Sequence, residues 1–149
     1  MSTTELRYQR FDRSHYAAYR RWFASERIRA ALYDIDGDWL DFVLHDTTGA
    51  EYVAYRGQEM VAVVGILFPQ ARHSAYVITS IAVAPDRFGQ GIGAVVLRDL
   101  RELHPLTVGQ HWAAFVETQN IAAQRFFTKN GWYMTGLEEG MLTYTWQPT

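Results

Sequence analysis

Residues 81–93, Ile81-Ala82-Val83-Ala84-Pro85-Asp86-Arg87-Phe88-Gly89-Gln90-Gly91-Ile92-Gly93, restrict the folds open to this chain more than any other stretch. A β-branched run gives way to three glycines at alternate positions, and behind them Ile92, Val96, Leu100 and Leu103 recur at helical spacing until Pro105 stops the pattern. A strand that enters a helix through such a turn presents consecutive backbone N–H groups with no Cβ over them, at the positive end of the helix. That arrangement binds anions. The expected ligand therefore carries phosphates.

Two other phosphate-binding turns use the same physics with different spacing. The dinucleotide fingerprint G-x-G-x-x-G needs a two-residue gap that Gly89, Gly91 and Gly93 lack, and no Gly-Lys-Ser/Thr follows as a P-loop requires. An unrelated nucleotide-binding domain thus rests on the glycines alone. The segment instead resembles the first motif of the GCN5-related N-acetyltransferases (GNAT), hydrophobic-Ala-Val-x-Pro-x-x-Arg/Gln-Gly-x-Gly-Ile/Leu-Gly. A second stretch, residues 120–132 with Asn120, Ala123, Phe126, Phe127, Lys129, Gly131 and Trp132, is similar to the same family's Asn-x-x-Ala-x-x-hydrophobic-Tyr-x-Lys-x-Gly-Phe. It also reads as an ordinary helix with Asn120 as N-cap and Gly131 just past its end, and both readings can hold together.

The resemblance implies acetyl-CoA, or another acyl-CoA, as co-substrate and direct transfer of the acyl group to a primary amine. It implies that Phe88, Gly89, Gln90, Gly91, Ile92 and Gly93 surround the pyrophosphate, and that Ile81, Ala82 and Val83 flank the pantetheine. Asn120, Ala123, Phe126, Phe127 and Lys129 would take the pantetheine arm and adenine side. The catalytic residues so implied are Val83, whose N–H would polarise the thioester carbonyl, and a base for the acceptor ammonium. Family positions for a carboxylate on the central strand read Val77 and Thr79 here. Glu117, at the end of the next strand, is the nearest candidate in sequence and reads equally as an exposed strand-end residue.

Two positions depart from the family pattern. Phe88 stands where Arg or Gln is usual, with an Arg one place earlier at Arg87, and Phe127 stands where the family's Tyr protonates the departing thiolate. A thiol with a pKa near 8.5 is already a fair leaving group, so transfer does not require that hydroxyl. The same departure raises the alternative of a non-catalytic acyl-CoA-binding or sensing domain. Thr128, Tyr133 and Ser80 are the hydroxyls that could stand in.

Composition narrows the rest. The 149 residues, 48% hydrophobic and 15% aromatic, suffice for one domain over 1–149 with a sizeable core. A formal charge of −2 argues against a nucleic-acid partner. The chain has no Cys, which excludes disulfides, Cys-bound zinc and a sulfur nucleophile, and its five His lack ligand spacing, so no metal is expected. With neither a signal-like N-terminus nor an apolar run of membrane-span length, a cytoplasmic location without membrane partners is expected. A homodimer stays open.

Along the chain, residues 6–11 alternate as an edge strand. Ser14 can cap a helix reaching about Leu32, and Asp38 a second one with Trp39, Phe42 and Val43 on one side. Residues 52–56 and 60–68 form a hairpin about Gly57-Gln58; Ala75–Val83 is the long central strand; 112–116 is a strand, 122–130 a helix, and 133–137 with Met141–Trp146 a closing hairpin. The order β-α-α-β-β-β-α-β-α-β-β predicts an α/β (α+β) fold of GNAT type, a mixed, mostly antiparallel central sheet flanked by helices. The acceptor is expected between the first helices and the closing hairpin, where Trp22, Asp34, Asp36, Asp38 and Asp41 face Glu138 and Glu139. Such an acidic pocket suits a small cationic amine. The same aspartates read otherwise as a helix cap and a solvated loop.

Overall fold

The computed structural model describes residues 5–148. In chain order the elements are β1 (Arg7–Arg10), α1 (Arg13–Trp22), α2 (Glu26–Ala31), α3 (Gly37–His45), β2 (Gly49–Arg56), β3 (Glu59–Leu67), β4 (Ala75–Val83), α4 (Ile92–Leu103), β5 (His111–Glu117), α5 (Ile121–Lys129), β6 (Tyr133–Glu138) and β7 (Met141–Trp146). They build one seven-stranded sheet of order β1-β2-β3-β4-β5-β7-β6, in which β4 and β5 are parallel and all other neighbours antiparallel. The mixed, mostly antiparallel sheet expected from the sequence is present, in the expected order.

Strand β3 shows why the layers form. Its run Val61–Ile66 is apolar on both faces because both faces are covered, and adjacent Val63 and Val64 belong to different cores. On one face α1, α2 and α3 press Tyr19, Phe23, Ile28, Leu40 and Val43 onto Val53, Val63 and Ala82. On the other, Ile92, Val96, Leu97 and Leu100 of α4 and Phe127 of α5 cover Ala54, Val64, Ile78, Trp112, Val116 and Tyr144.

Helix ends differ from the sequence expectation. The helix expected from Ser14 to about Leu32 is two helices. Its cap is Asp12, whose carboxylate accepts the Ser14 N–H at 2.8 Å while His15 Nδ1 accepts the Asp12 N–H at 2.9 Å. The chain breaks after Trp22 because Phe23, Ala24 and Ser25 donate three residues back instead of four, and the Arg29 guanidinium takes over the Phe23 and Ala24 carbonyls at 2.8 and 2.9 Å. The next cap is Asp36, not Asp38: its carboxylate accepts the Trp39 N–H at 2.9 Å. Starting α3 there turns Leu40 and Val43 inward and leaves Phe42, expected on the same side as Val43, 62% exposed.

Candidate functional site

Parallel pairing of β4 with β5 runs only from Ala75↔His111 to Ile78↔Ala114. Beyond it β4 continues to Val83 and β5 to Glu117 as strands with no pairing between them, so the sheet opens at its centre. The cause is local. Gly65 pairs with Ser80 but Ile66 with Ile78, so Thr79 is an extra residue in β4, and such a bulge bends and twists its strand. Thr79 is exposed in the middle of a central strand, as the floor of a cleft would be. The Ala84 N–H donates to the Val61 carbonyl at 2.9 Å, and strand alternation therefore aims the N–H groups of Ile81 and Val83 away from β3, into the opening.

The opening leads into the glycine turn. Gly89 and Gly91 hold φ of +78° and +77°, a left-handed conformation that glycine adopts readily, and no atom lies within 4 Å of where either Cβ would stand. Gly91 is the N-cap of α4, so the uncapped N–H groups of that helix face this open space. The third glycine serves packing instead, since a Cβ on Gly93 would stand 2.9 Å from Phe126 Cε1; its absence lets α4 and α5 meet. From the other side the β2–β3 hairpin anchors the turn. Arg87 donates to Glu59 at 2.6 Å, holding the Glu59 carboxyl below its ordinary range, and Arg56 donates to the Gln90 carboxamide at 3.2 Å.

Several residues expected around the ligand spend their side chains on packing. Arg87 is engaged by Glu59, and the Phe88 ring lies under the Arg27 guanidinium, 4.3 Å from its centroid, packed toward the core of α1–α3. Ile92 is buried in α4, so Phe88 and Ile92 offer the turn only backbone. Asn120 accepts the Ala123 N–H at 3.1 Å, as a cap does, and Gly131 takes the left-handed φ of +87° past α5. Ala123 and Phe126 are half-buried against the α4 core, and Lys129 is exposed at the end of α5. Phe127 is only 4% exposed, 4.9 Å from the Trp132 ring and stacked at 6.0 Å on Tyr144.

Of the hydroxyls considered as substitutes for the missing Tyr, Thr128 lies on the exposed side of α5 and Tyr133 accepts the Gln147 amide at 3.1 Å on the outer strand. Ser80 alone stands in the opening.

On the acceptor side the aspartates are occupied. Asp34 accepts the Ile35 N–H at 2.9 Å, Asp36 caps α3, and Asp41 lies 3.7 Å from Arg13. Arg20 reaches the Ile35 carbonyl at 2.9 Å, so α1 sends two cations among carboxylates that look unopposed in sequence. Asp38 remains exposed in the first turn of α3, and Glu138 and Glu139 are exposed at the β6–β7 turn. Trp22 stands edge-on against Tyr19 at 5.4 Å. Glu117 is exposed at the end of β5, on the face opposite Val116 and the α4 core.

One titratable group escaped the sequence reading. Glu51 of β2 is embedded beneath α1, though part of it still reaches solvent, and burial pushes its carboxyl up to about 7; the Ser80 hydroxyl works against the shift and Asp46 adds to it. In sequence it is an ordinary charged residue in an alternating strand. Only the register that sets it opposite Gly65 shows where it goes.

The strand, glycine turn and helix expected from the first motif are present, and the structure adds the bulge and the central opening that lead into them. The model of the acetyltransferase (GNAT) family matches residues 9–132, and the chain belongs to that family. The fold is similar to that of an acetyltransferase from Thermus thermophilus (TM-score 0.81, 16% identity, 97% of this chain and 98% of that one). It is likewise similar to a spermidine N-acetyltransferase from Vibrio cholerae solved with CoA and spermine (0.74, 13%, 95% and 94%) and to the N-acetyltransferase PseH of Campylobacter jejuni (0.71, 10%, 97% and 99%). No curated protein matches the chain. Among the described residues no helix is long and apolar enough to cross a membrane.

Proposed function

We propose that the protein transfers an acetyl group from acetyl-CoA directly to a primary amine of a small acceptor. The observation that carries this reading is the opening between β4 and β5 beyond Ile78 and Ala114, which ends in the turn at Gly89 and Gly91. The turn and the first N–H groups of α4 would hold the pyrophosphate, with Gln90 exposed beside them. The thioester arm would lie along Ile81, Ala82 and Val83 like an added strand, bonded to N–H groups that have no strand partner there. The Val83 N–H then donates to the thioester oxygen as negative charge develops on it.

The acceptor would enter from the face of α1–α3, over Thr79 and Ser80, toward Glu117 and the exposed Glu138 and Glu139. A cationic amine, such as a polyamine, fits those carboxylates and Asp38 better than Asp34, Asp36 and Asp41, which already have partners. The test is calorimetric titration with acetyl-CoA, CoA, NAD and ATP, followed by free-thiol release from acetyl-CoA with amines, amino acids and N-terminal peptides. Binding of CoA with amine-dependent thiol release is expected. Preference for NAD or ATP would refute the reading. Binding of CoA without transfer to any amine would leave the acyl-CoA-binding role that Phe127 raises.

A further inference from the structure

The bulge at Thr79 and the glycine at position 65 act on one side chain. Glu51 belongs to β2, two strands from the opening, yet its carboxyl crosses the bare face of Gly65: a Cβ on that glycine would run into Glu51 Oε1 and stand 2.6 Å from Thr79 Oγ1. Ser80 Oγ lies 3.5 Å from Glu51 Oε2, a long hydrogen bond. Thr79 and Ser80 are the first residues of β4 past its last pair with β5, so the carboxyl lies where the sheet begins to open. The groups acting on it are the Tyr19 phenol of α1, Asp46 at the end of α3 and the hydroxyls of β4.

We propose that Glu51 is the general base of the acetyl transfer, taking the proton from the acceptor's ammonium group at the mouth of the β4–β5 opening. The inference rests on the N-acetyltransferase reading above. Proton transfer leaves a neutral amine and a protonated Glu51; the amine nitrogen bonds to the thioester carbon and the C–S bond breaks. The second nitrogen proton goes to the departing thiolate, giving the amide and free CoA thiol. Glu51 returns its proton to solvent through its accessible edge, one proton for each acetyl group moved.

Two features suit the role. A carboxyl pushed up to about 7 is a stronger base than one in water and still keeps about half its population ionised at neutral pH. A cationic acceptor arriving beside it favours the ionised form further. Glu117, exposed at the end of β5, has neither the burial nor a glycine window.

The test follows thiol release from acetyl-CoA with spermidine and with n-butylamine between about pH 5.5 and 9.5, for the parent, Glu51→Gln and Ser80→Ala, with CoA affinity measured alongside. A positioned base contributes roughly 10²–10⁴-fold, so Glu51→Gln should bind CoA as the parent does, lose about that factor near neutrality, and recover as pH approaches the amine's own pKa. Ser80→Ala, which removes the bond that lowers the Glu51 pKa, should move the acidic limb of the rate profile upward. If Glu51→Gln does not fold, the direction of the Ser80→Ala limb decides. Parental rates in Glu51→Gln, a loss equal at every pH, or an unmoved limb in Ser80→Ala overturns this inference alone. A parent that binds CoA but acetylates neither these amines nor any amine, amino acid or peptide of the panel above overturns it together with the transferase reading.

Discussion

Replacing Gly91 by Asp separates the glycine turn's structural role from its ligand role. Gly91 sits at φ +77° and ψ +10°, and no atom lies within 4 Å of a Cβ built on it, so the substitution meets strain but no clash. Left-handed backbone costs a residue with a Cβ about 1–2 kcal/mol, and Asp tolerates it better than most while also serving as an N-cap, so the net loss should be about 1 kcal/mol. That is small against the roughly 5–15 kcal/mol of a typical domain and should lower Tm by about 2–4 °C. Ligand binding should suffer far more. A carboxylate about 4–8 Å from a phosphate charge, at an effective dielectric near 20, is repelled by about 2–4 kcal/mol. The Kd for CoA should therefore rise at least thirtyfold, roughly. Gly91→Ala, which carries the strain into both free and bound states, should shift Kd by less than about fivefold. Calorimetry with CoA, paired with a thermal melt of each variant, reads both quantities. An Asp variant that folds and binds CoA like the parent would refute the phosphate assignment, and one that fails to fold would refute the strain-only account of Gly91.

The remaining expectations follow from packing, capping and titration. Gly93→Ala drives a methyl to 2.9 Å from the Phe126 ring and should cost about 1–3 kcal/mol in urea unfolding, with much of it recovered in the Gly93→Ala, Phe126→Leu pair; additive losses would contradict the contact. Phe127→Tyr places a hydroxyl between Trp132 and Tyr144 and should destabilise by about 1–3 kcal/mol while changing turnover less than tenfold; a thousandfold gain would show that the family hydroxyl was needed. Asp36→Ala should lose about 1 kcal/mol of stability and Asp36→Asn almost none, both with the parental KM; a KM rise in the Asn variant alone would return Asp36 to acceptor recognition. Glu51 is raised from 4.5 to about 7 by burial, so between those values the folded state holds a proton that the unfolded state has lost, and stability falls as pH rises through that window. Glu51→Gln should abolish that fall and be more stable at pH 8 by up to about 3 kcal/mol, seen in denaturant midpoints at pH 4.5 and 8; equal pH profiles would place the carboxyl in solvent.

Features that are local or periodic were legible from the residues alone. The span Ala75–Val83 stood out because a β-branched run ends at Pro85, the glycine turn because alternate glycines have few other uses, and the capping role of Asn120 because a short polar side chain before an apolar helix satisfies free N–H groups. The paired motifs added the family and hence the sheet. Residues whose meaning depends on partners far along the chain acquired it only on folding. Asp34 and Asp41 look like an acceptor wall until Asp34 folds onto the Ile35 N–H and α1 brings Arg13 beside Asp41. Gly93 looks like its neighbours Gly89 and Gly91 until α5 sets Phe126 against it. Glu51 is the clearest case: its environment comes from Gly65 on one neighbouring strand, a one-residue bulge on the next and the cover of α1. Desolvation sums over every atom packed around a group, whatever its place in the chain, whereas sequence spacing reports only neighbours along one element.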